Sequence, residues 1–184
     1  MDPSEIQENY PLLDQAAEDV LSLLTTGFMK PTGSHVETII AAAASLAGLA
    51  VLRSRSFDLR PYKPGMIVDY DPGPEIGAIR DFMVAEAGKA GLDPSGGWGG
   101  NIPEAHLPVL TVPEMTRETE REFLAACDRH RIRRVFYPYV AVLAALKFVY
   151  AADRVRRLEQ NTGKALILYH VVAGAKTVPY HSFA

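Results

Sequence analysis

TIIAAAASLAGLAVL, residues 38–52, is a run of fifteen uncharged residues between Glu37 and Arg53. Alanine favours the α-helix, and the run has no polar face that could be turned toward water. Its small side chains allow neighbouring helices to approach closely. The run therefore predicts a central helix that is buried on all sides.

The same run is too short to predict a membrane span. As an α-helix it would rise about 22 Å, whereas the hydrocarbon core of a bilayer is about 30 Å thick. We therefore expect no membrane span in this chain.

The composition is typical of a globular domain. The chain has 184 residues, of which 48% are hydrophobic and 22% are charged, and a single domain covering residues 1–184 is the simplest expectation. A net charge of −3 gives no overall attraction to a phosphate backbone, so we expect no nucleic-acid partner. One cysteine, Cys127, and an acidic start without a secretory signal favour the cytoplasm.

Periodicity and punctuation predict about six helices. We expect them at residues 11–26, from residue 34 through the alanine-rich run, and at residues 74–90, 111–130, 138–160 and 164–176. Ser34 with Glu37 and Thr111 with Glu114 fit the capping box that begins a helix. Residues 161–163, Asn-Thr-Gly, are expected to end the fifth helix. The predicted fold is mainly α, a single-domain helical bundle around the alanine-rich helix.

An α+β fold with a small sheet is the alternative. LILYHVV, residues 166–172, suits a buried strand as well as a buried helix, and periodicity does not separate the two. With residues 66–70, 109–112 and 134–137 it could form a small sheet. The long periodic segments and the lack of an Asn-Gly hairpin signal favour the bundle.

The connection GFMKPTGS, residues 27–34, is the first candidate ligand site. It is not a phosphate loop of the Walker A type, because it follows a helix and no lysine directly precedes Ser34. Lys30 and the free amides near Ser34 could still hold a small anion at the start of a helix. The alternative interpretation is a turn followed by a helix cap.

Histidines form a second group of candidates. His35, His106 and His170 could act as acid or base groups, and His170 could equally be a core histidine with a hydrogen-bond partner. The histidines and the one cysteine show no zinc-binding spacing, so we expect no metal and no cofactor. Cys127 and His130 are three residues apart on a predicted helix, which suits either a reactive pair or a buried cysteine beside a surface histidine.

Carboxylates gather around a turn at residues 69–75. Asp69 and Asp71, with Glu75 close in sequence, could hold a cation or supply an acid/base pair. The alternative is that they are solvated or cap the following helix.

The glycine-rich segment DPSGGWGGN, residues 93–101, contains the only tryptophan. Glycines on both sides of Trp98 could act as hinges, and the indole could stack on a ligand or close over it. The alternative is that Trp98 simply pins this loop to the core.

No motif in the sequence identifies a reaction, so the function is unknown at this level. Abundant small-residue and apolar helix surface favours a self-associating binding or structural module, and we expect a homo-oligomer. The alternative is a small-molecule enzyme with a pocket between helices under the Trp98 loop. The candidate ligand-binding residues are Lys30, Ser34, His35, Asp69, Asp71, Trp98, His106 and His170.

Overall fold

The computed structural model describes residues 3–30, 33–55 and 57–180, and it confirms the mainly α prediction. Six α-helices account for most of this part of the chain. They are α1 (Pro3–Gly27), α2 (Val36–Ser54), α3 (Gly73–Lys89), α4 (Val112–Arg129), α5 (Tyr137–Arg154) and α6 (Gln160–Lys176). Single 3-10 turns at Glu104–His106 and Arg134–Phe136 precede α4 and α5. One hydrophobic core contains buried side chains from all six helices.

Helix α2 is the centre of the bundle. It packs against α1, α4, α5 and α6, and every residue from Thr38 to Leu52 is buried. A helix without a polar face can only be stable when other elements cover its whole circumference. The predicted central helix is thus confirmed over the full length of the alanine-rich run.

Glycines bring α2 and α6 into direct backbone contact. A Cβ atom added to Gly48 would lie 2.1 Å from the carbonyl oxygen of Val171, and one added to Gly174 would lie 2.3 Å from that of Ser45. No real Cβ atom tolerates such distances, so each helix needs a glycine where it meets the other. The close approach expected from the small residues of α2 is made with α6.

The described residues contain little β structure. Met29–Lys30 and Gly33–Ser34 form two-residue antiparallel strands, β1 and β2, with Met29 opposite Ser34. One isolated bridge joins Ile67 to Thr177. The alternative α+β prediction is wrong, because residues 166–172 lie inside α6 and residues 134–136 form a 3-10 turn.

Several predicted helix ends differ from the observed ones. Helix α1 begins at Pro3, eight residues before the predicted start, and includes Pro11. The N-cap position of α2 is His35 rather than Ser34, without a capping hydrogen bond from its side chain, and the side chain of Ser34 lies outside the described part of the chain. Thr111 caps α4 as predicted, with its backbone amide 2.8 Å from Oε2 of Glu114.

The predicted end of the fifth helix is wrong. Helix α5 ends at Arg154, and residues 161–163 lie in the first turn of α6. Arg156 has a positive φ of 54°, which ends the helical path before Glu159. Gly163 is required by packing, because its Cβ would lie 2.7 Å from a methyl carbon of Val149.

Two segments are long and apolar enough to cross a membrane by length and composition alone. They are Val36–Ser54 and Arg134–Arg154, and 78% and 72% of their apolar windows are buried inside the fold. Core helices pass the same test, so this finding is weak evidence for a membrane span.

The long loop after α2 packs against the end of α6 and the residues that directly follow it. The amide of Val68 donates to the carbonyl of Lys176 at 2.7 Å, and the amide of Val178 donates to that of Met66 at 2.9 Å. Leu59, Val68 and Val178 form a small second core with two leucines of α2. This contact fixes the loop over the C-terminal half of α2.

Candidate functional site

A cleft of about 520 Å³ lies between α2 and α4. Its volume falls within the range of about 300–1,000 Å³ that is usual for small-molecule sites. Apolar side chains form much of the lining, among them Leu46 and Leu49 of α2 and Phe123 and Leu124 of α4. Charged side chains also line it, namely Arg53, Glu120, Arg121, Asp128 and Arg134.

Helical spacing explains why these residues share one cleft. Leu46, Ala50 and Arg53 follow each other at intervals of four and three residues along α2, so they lie on one face. Glu120 and Leu124 of α4 are four residues apart and lie on its facing surface. Two regular helices therefore hold the site, and such elements position side chains more precisely than loops do.

An ion pair between α2 and α4 lies in the cleft. Nε and Nη2 of Arg53 are both 2.5 Å from Oε1 of Glu120. The side chain of Glu120 is 3% exposed and that of Arg53 is 21% exposed. Burying a carboxylate without a charged partner costs free energy, so the buried charge of Glu120 depends on its ion pair with Arg53.

A second polar pair involves the start of α5. The hydroxyl of Tyr137 donates to Oδ1 of Asp128 at 2.7 Å. Burial, together with this hydrogen bond to a carboxylate, raises the pKa of Tyr137 above its ordinary value. Tyr137 is therefore a neutral donor at physiological pH, and it holds the Asp128 carboxylate in place.

Two further arginines line the cleft and are exposed to solvent, Arg121 and Arg134. Among residues 3–30, 33–55 and 57–180, neither has a carboxylate within ion-pair distance. Guanidinium groups without a partner are suited to binding carboxylate, sulfonate or phosphate groups. The cleft thus combines apolar walls with a neutralised charge pair and two available cations.

None of the six sequence-predicted residues whose side chains the structure describes lines this cleft, but two of them meet elsewhere. Nδ1 of His106 lies 2.8 Å from Oε1 of Glu37, and Nδ1 of His35 lies 3.4 Å from Oε2 of the same carboxylate. His35 also contacts Oγ1 of Thr38 at 3.0 Å. The structure therefore gathers His35 and His106 around one largely buried carboxylate at the start of α2, an arrangement that can orient imidazole rings.

The two predicted carboxylates stay apart from the cleft and are exposed. Oδ1 of Asp71 accepts the amide hydrogen of Gly73 at 2.9 Å, which caps the start of α3. Asp69 lies in the preceding loop, while Glu75 forms an ion pair with Arg55. These contacts fit the capping interpretation of the turn.

The Trp98 loop is held against the start of α6. Nε1 of Trp98 donates to the carbonyl of Pro94 at 3.1 Å, and the ring packs against the core. Gly97, at a φ of +86°, approaches Asn161 so closely that a Cβ would lie 2.7 Å from its Cα atom. These contacts support the interpretation that Trp98 pins the loop.

A fully buried lysine lies under this loop. Nζ of Lys164 donates to the carbonyl of Asp93 at 2.6 Å and lies 5.8 Å from the centre of the Trp98 ring. Burial lowers the pKa of Lys164, and the negative charges of Asp93 and Glu159 oppose this effect. The sequence analysis missed Lys164, although a lysine followed directly by ALIL was a visible signal.

His170 is buried, as one of its two predicted roles requires. Nδ1 has no hydrogen-bond partner among the residues that the structure describes, and burial lowers the pKa of the ring to about 4. The hydrogen-bond partner predicted for a core histidine is therefore not found at Nδ1 within the described part of the chain. The imidazole is neutral at physiological pH and packs edge-on against Tyr169.

The remaining candidates give less information. Lys30 and Ser34 lie in β1 and β2, but their side chains lie outside the described part of the chain.

Burial and the nearby charge of Asp128 raise the pKa of Cys127 to about 12, and His130 pairs with Asp19 at 3.0 Å. A reactive Cys127–His130 pair is thus disfavoured, because the thiolate is the nucleophilic form.

Sequence reasoning also missed Glu120, which is central to the cleft. Glu120 lies between Met115 and Phe123 on the core-facing side of α4, and a charged residue in such a position needs a partner. That signal could have identified Glu120 from the sequence. Its partner Arg53 is 67 residues away in the chain, and no sequence pattern connects the two.

Across the described ranges, no group of three or more His, Cys, Asp or Glu side chains is arranged to hold a metal ion. Comparison with known proteins gave no match to a protein-family model, to a curated protein or to a solved structure.

Proposed function

We propose that the chain is a small-molecule binding protein whose ligand occupies the cleft between α2 and α4. The observation that carries this proposal is the cleft itself, with about 520 Å³ between two helices and largely apolar walls. Helix–helix clefts with apolar walls and a few placed polar groups are common ligand sites.

The Arg53–Glu120 pair supports the proposal because it fixes part of the site before any ligand arrives. Its charges are held between α2 and α4, and the Glu120 side chain is only 3% exposed. A preformed site loses little conformational entropy on binding, so more of the contact energy appears as affinity. The pair therefore favours a rigid cleft over one that forms around its ligand.

A neutral apolar dye tests the proposal. N-phenyl-1-naphthylamine fluoresces more strongly in an apolar site, and titration of the full-length protein should give saturable binding. Ala125 lines the cleft and is exposed, so Ala125→Trp should fill the cleft and weaken dye binding by about tenfold or more.

Ala85→Trp is the matched control, since Ala85 is an exposed alanine within α3 and does not line the cleft. It should leave the affinity for the dye unchanged. Absence of dye binding to the parent protein, or equal binding to the parent and Ala125→Trp, would overturn the proposal. Circular dichroism of each variant shows whether its helices are retained.

A further inference from the structure

We infer that the ligand of the cleft is a small organic monoanion, with its charged group at Arg121 and Arg134 and its apolar body against α2 and α4. This inference rests on the proposed function, and it adds the charge and the orientation of the ligand. The chemical class includes carboxylates and sulfonates attached to an aromatic or aliphatic body.

The charges in the cleft favour an anion. Three arginines and two carboxylates line it, so its formal charge is positive although the whole chain carries −3. Arg53 is already neutralised by Glu120, which leaves the positive surplus at Arg121 and Arg134. Guanidinium groups bind carboxylate and sulfonate oxygens with paired N–H donors.

A cationic ligand would fit less well. It would have to reach Glu120 past Arg53 or approach Asp128, where the Tyr137 hydroxyl already donates to Oδ1 at 2.7 Å. Burial and the hydrogen bond to Asp128 raise the pKa of Tyr137, and the positive charge of Arg134 opposes this rise, so Arg134 acts at the same end of the cleft. A second cation there would be repelled.

A polyanion would also fit less well than a monoanion. An exposed carboxylate on α4, Glu122, directly follows Arg121, whereas Glu118 is paired with Arg117 at 3.0 Å. Glu122 would repel an extended run of phosphates while leaving room for a single charge inside the cleft. The apolar walls formed by Leu46, Leu49 and Phe123 require a ligand that also has an apolar body.

Two dyes that share one carbon skeleton test this inference. N-phenyl-1-naphthylamine is neutral, and 1-anilinonaphthalene-8-sulfonate carries one added sulfonate. We expect the parent protein to bind the sulfonate about tenfold more tightly than the neutral dye. The sulfonate affinity should fall as salt is raised, whereas the neutral dye should be insensitive to salt.

The double variant Arg121→Gln/Arg134→Gln should remove the preference for the sulfonate without changing the affinity for the neutral dye. Arg60→Gln/Arg80→Gln is the matched control, because it makes the same change in net charge at exposed arginines outside the cleft. This control should keep the preference. Thermal unfolding of both double variants monitors folding, since the sulfonate dye also binds loosened proteins.

The outcomes separate the two proposals. Equal affinity of the parent for both dyes, with Ala125→Trp blocking both, would overturn the inference and leave the proposed function standing. Retention of the sulfonate preference in the cleft double variant would also overturn the inference, because the preference would arise elsewhere. Failure of the neutral dye to bind in the cleft would overturn the proposed function itself, and with it the inference.

Discussion

Two polar residues of α6 are buried, and they differ in their hydrogen bonding. Lys164 keeps a hydrogen bond from Nζ to the Asp93 carbonyl and lies under the Trp98 ring. His170 has a ring nitrogen without a hydrogen-bond partner in the described part of the chain, and burial holds its pKa at about 4. The lysine therefore ties a loop to the core, whereas the histidine makes folding sensitive to acid.

We predict that His170 destabilises the protein as the pH falls from 7 to 5. An unfolded chain binds the proton near pH 6.5, whereas the folded protein resists it until about pH 4. The unfolded state thus binds more protons in this window, and the free energy of unfolding should fall by about 2 kcal/mol between pH 7 and pH 5 on account of this residue.

Urea unfolding of the parent protein and of His170→Gln at both pH values measures this effect. Glutamine keeps a polar side chain but does not titrate, so the variant should lose about 2 kcal/mol less than the parent on acidification. Identical losses for the two proteins would show that His170 is not the group responsible.

Individual residues also show where sequence reasoning fails. His35 and His106 are both candidates by residue type, but they meet only at Glu37, which lies 69 residues before His106 in the chain. Residue type indicates which side chains can carry acid/base chemistry, and only packing determines which of them meet. The sequence predicts a cap formed by Ser34 and Glu37, whereas the Glu37 carboxylate faces the two imidazole rings.

At the scale of helices, Gly48 and Gly174 determine how α2 and α6 pack. The two backbones touch at these positions. The alanine-rich composition of α2 therefore allows close packing only because glycines occur at the contact. Small residues at a helix interface allow such an approach, and a single added methyl group prevents it.

We predict that Gly48→Ala lowers the free energy of unfolding by more than about 3 kcal/mol, because its methyl group would clash with backbone rather than with a movable side chain. Gly77→Ala is the control within a helix, since nothing lies within 4 Å of a Cβ at this position. It should stabilise the protein by about 0.5–1 kcal/mol through the higher helix propensity of alanine.

Urea unfolding followed by circular dichroism compares the two variants with the parent. Failure of Gly48→Ala to fold while Gly77→Ala unfolds cooperatively would agree with the prediction. A Gly48→Ala variant as stable as the parent would show that α2 and α6 can separate at little cost.

The boundary between α5 and α6 shows that glycine can lie in the first turn of a helix as well as at a helix end. Asparagine and glycine at residues 161–163 predict the end of a helix, yet these residues lie in the first turn of α6. Gly163 is present because Val149 of α5 leaves no room for a Cβ atom. At Gly163, tertiary packing outweighs the low helix propensity of glycine.

For the molecule as a whole, self-association stays a prediction. The described residues include exposed apolar side chains in the loop at residues 57–67, with Ile67 64% and Met66 46% exposed. Exposed apolar surface of this kind is a common feature of contact surfaces. We predict that sedimentation velocity at about 100 µM finds a species heavier than the 20.1 kDa monomer.

Ile67→Lys should shift this species toward the monomer, because a charge would have to be desolvated at the contact. Val155→Lys is the control, since Val155 is 68% exposed and directly follows α5, outside the loop at residues 57–67. A parent protein that sediments only as a monomer would contradict the prediction.

The amino-acid sequence by itself determined the fold class and the identity of the central helix. Both depend on local composition and period, because a run of fifteen uncharged, mostly apolar residues has no polar face and favours a helix covered by other elements. The exclusion of a disulfide within the chain likewise follows from the single cysteine.

Only the tertiary structure decided where a ligand could bind. The cleft joins Arg53 of α2 to Glu120 of α4 and Arg134 before α5, and Arg53 lies 67 residues before Glu120 in the chain. Their meeting depends on how α2 packs against α4 and α5, which is set by the whole core. Contacts between distant segments carry no local pattern, so this site became visible only in the folded protein.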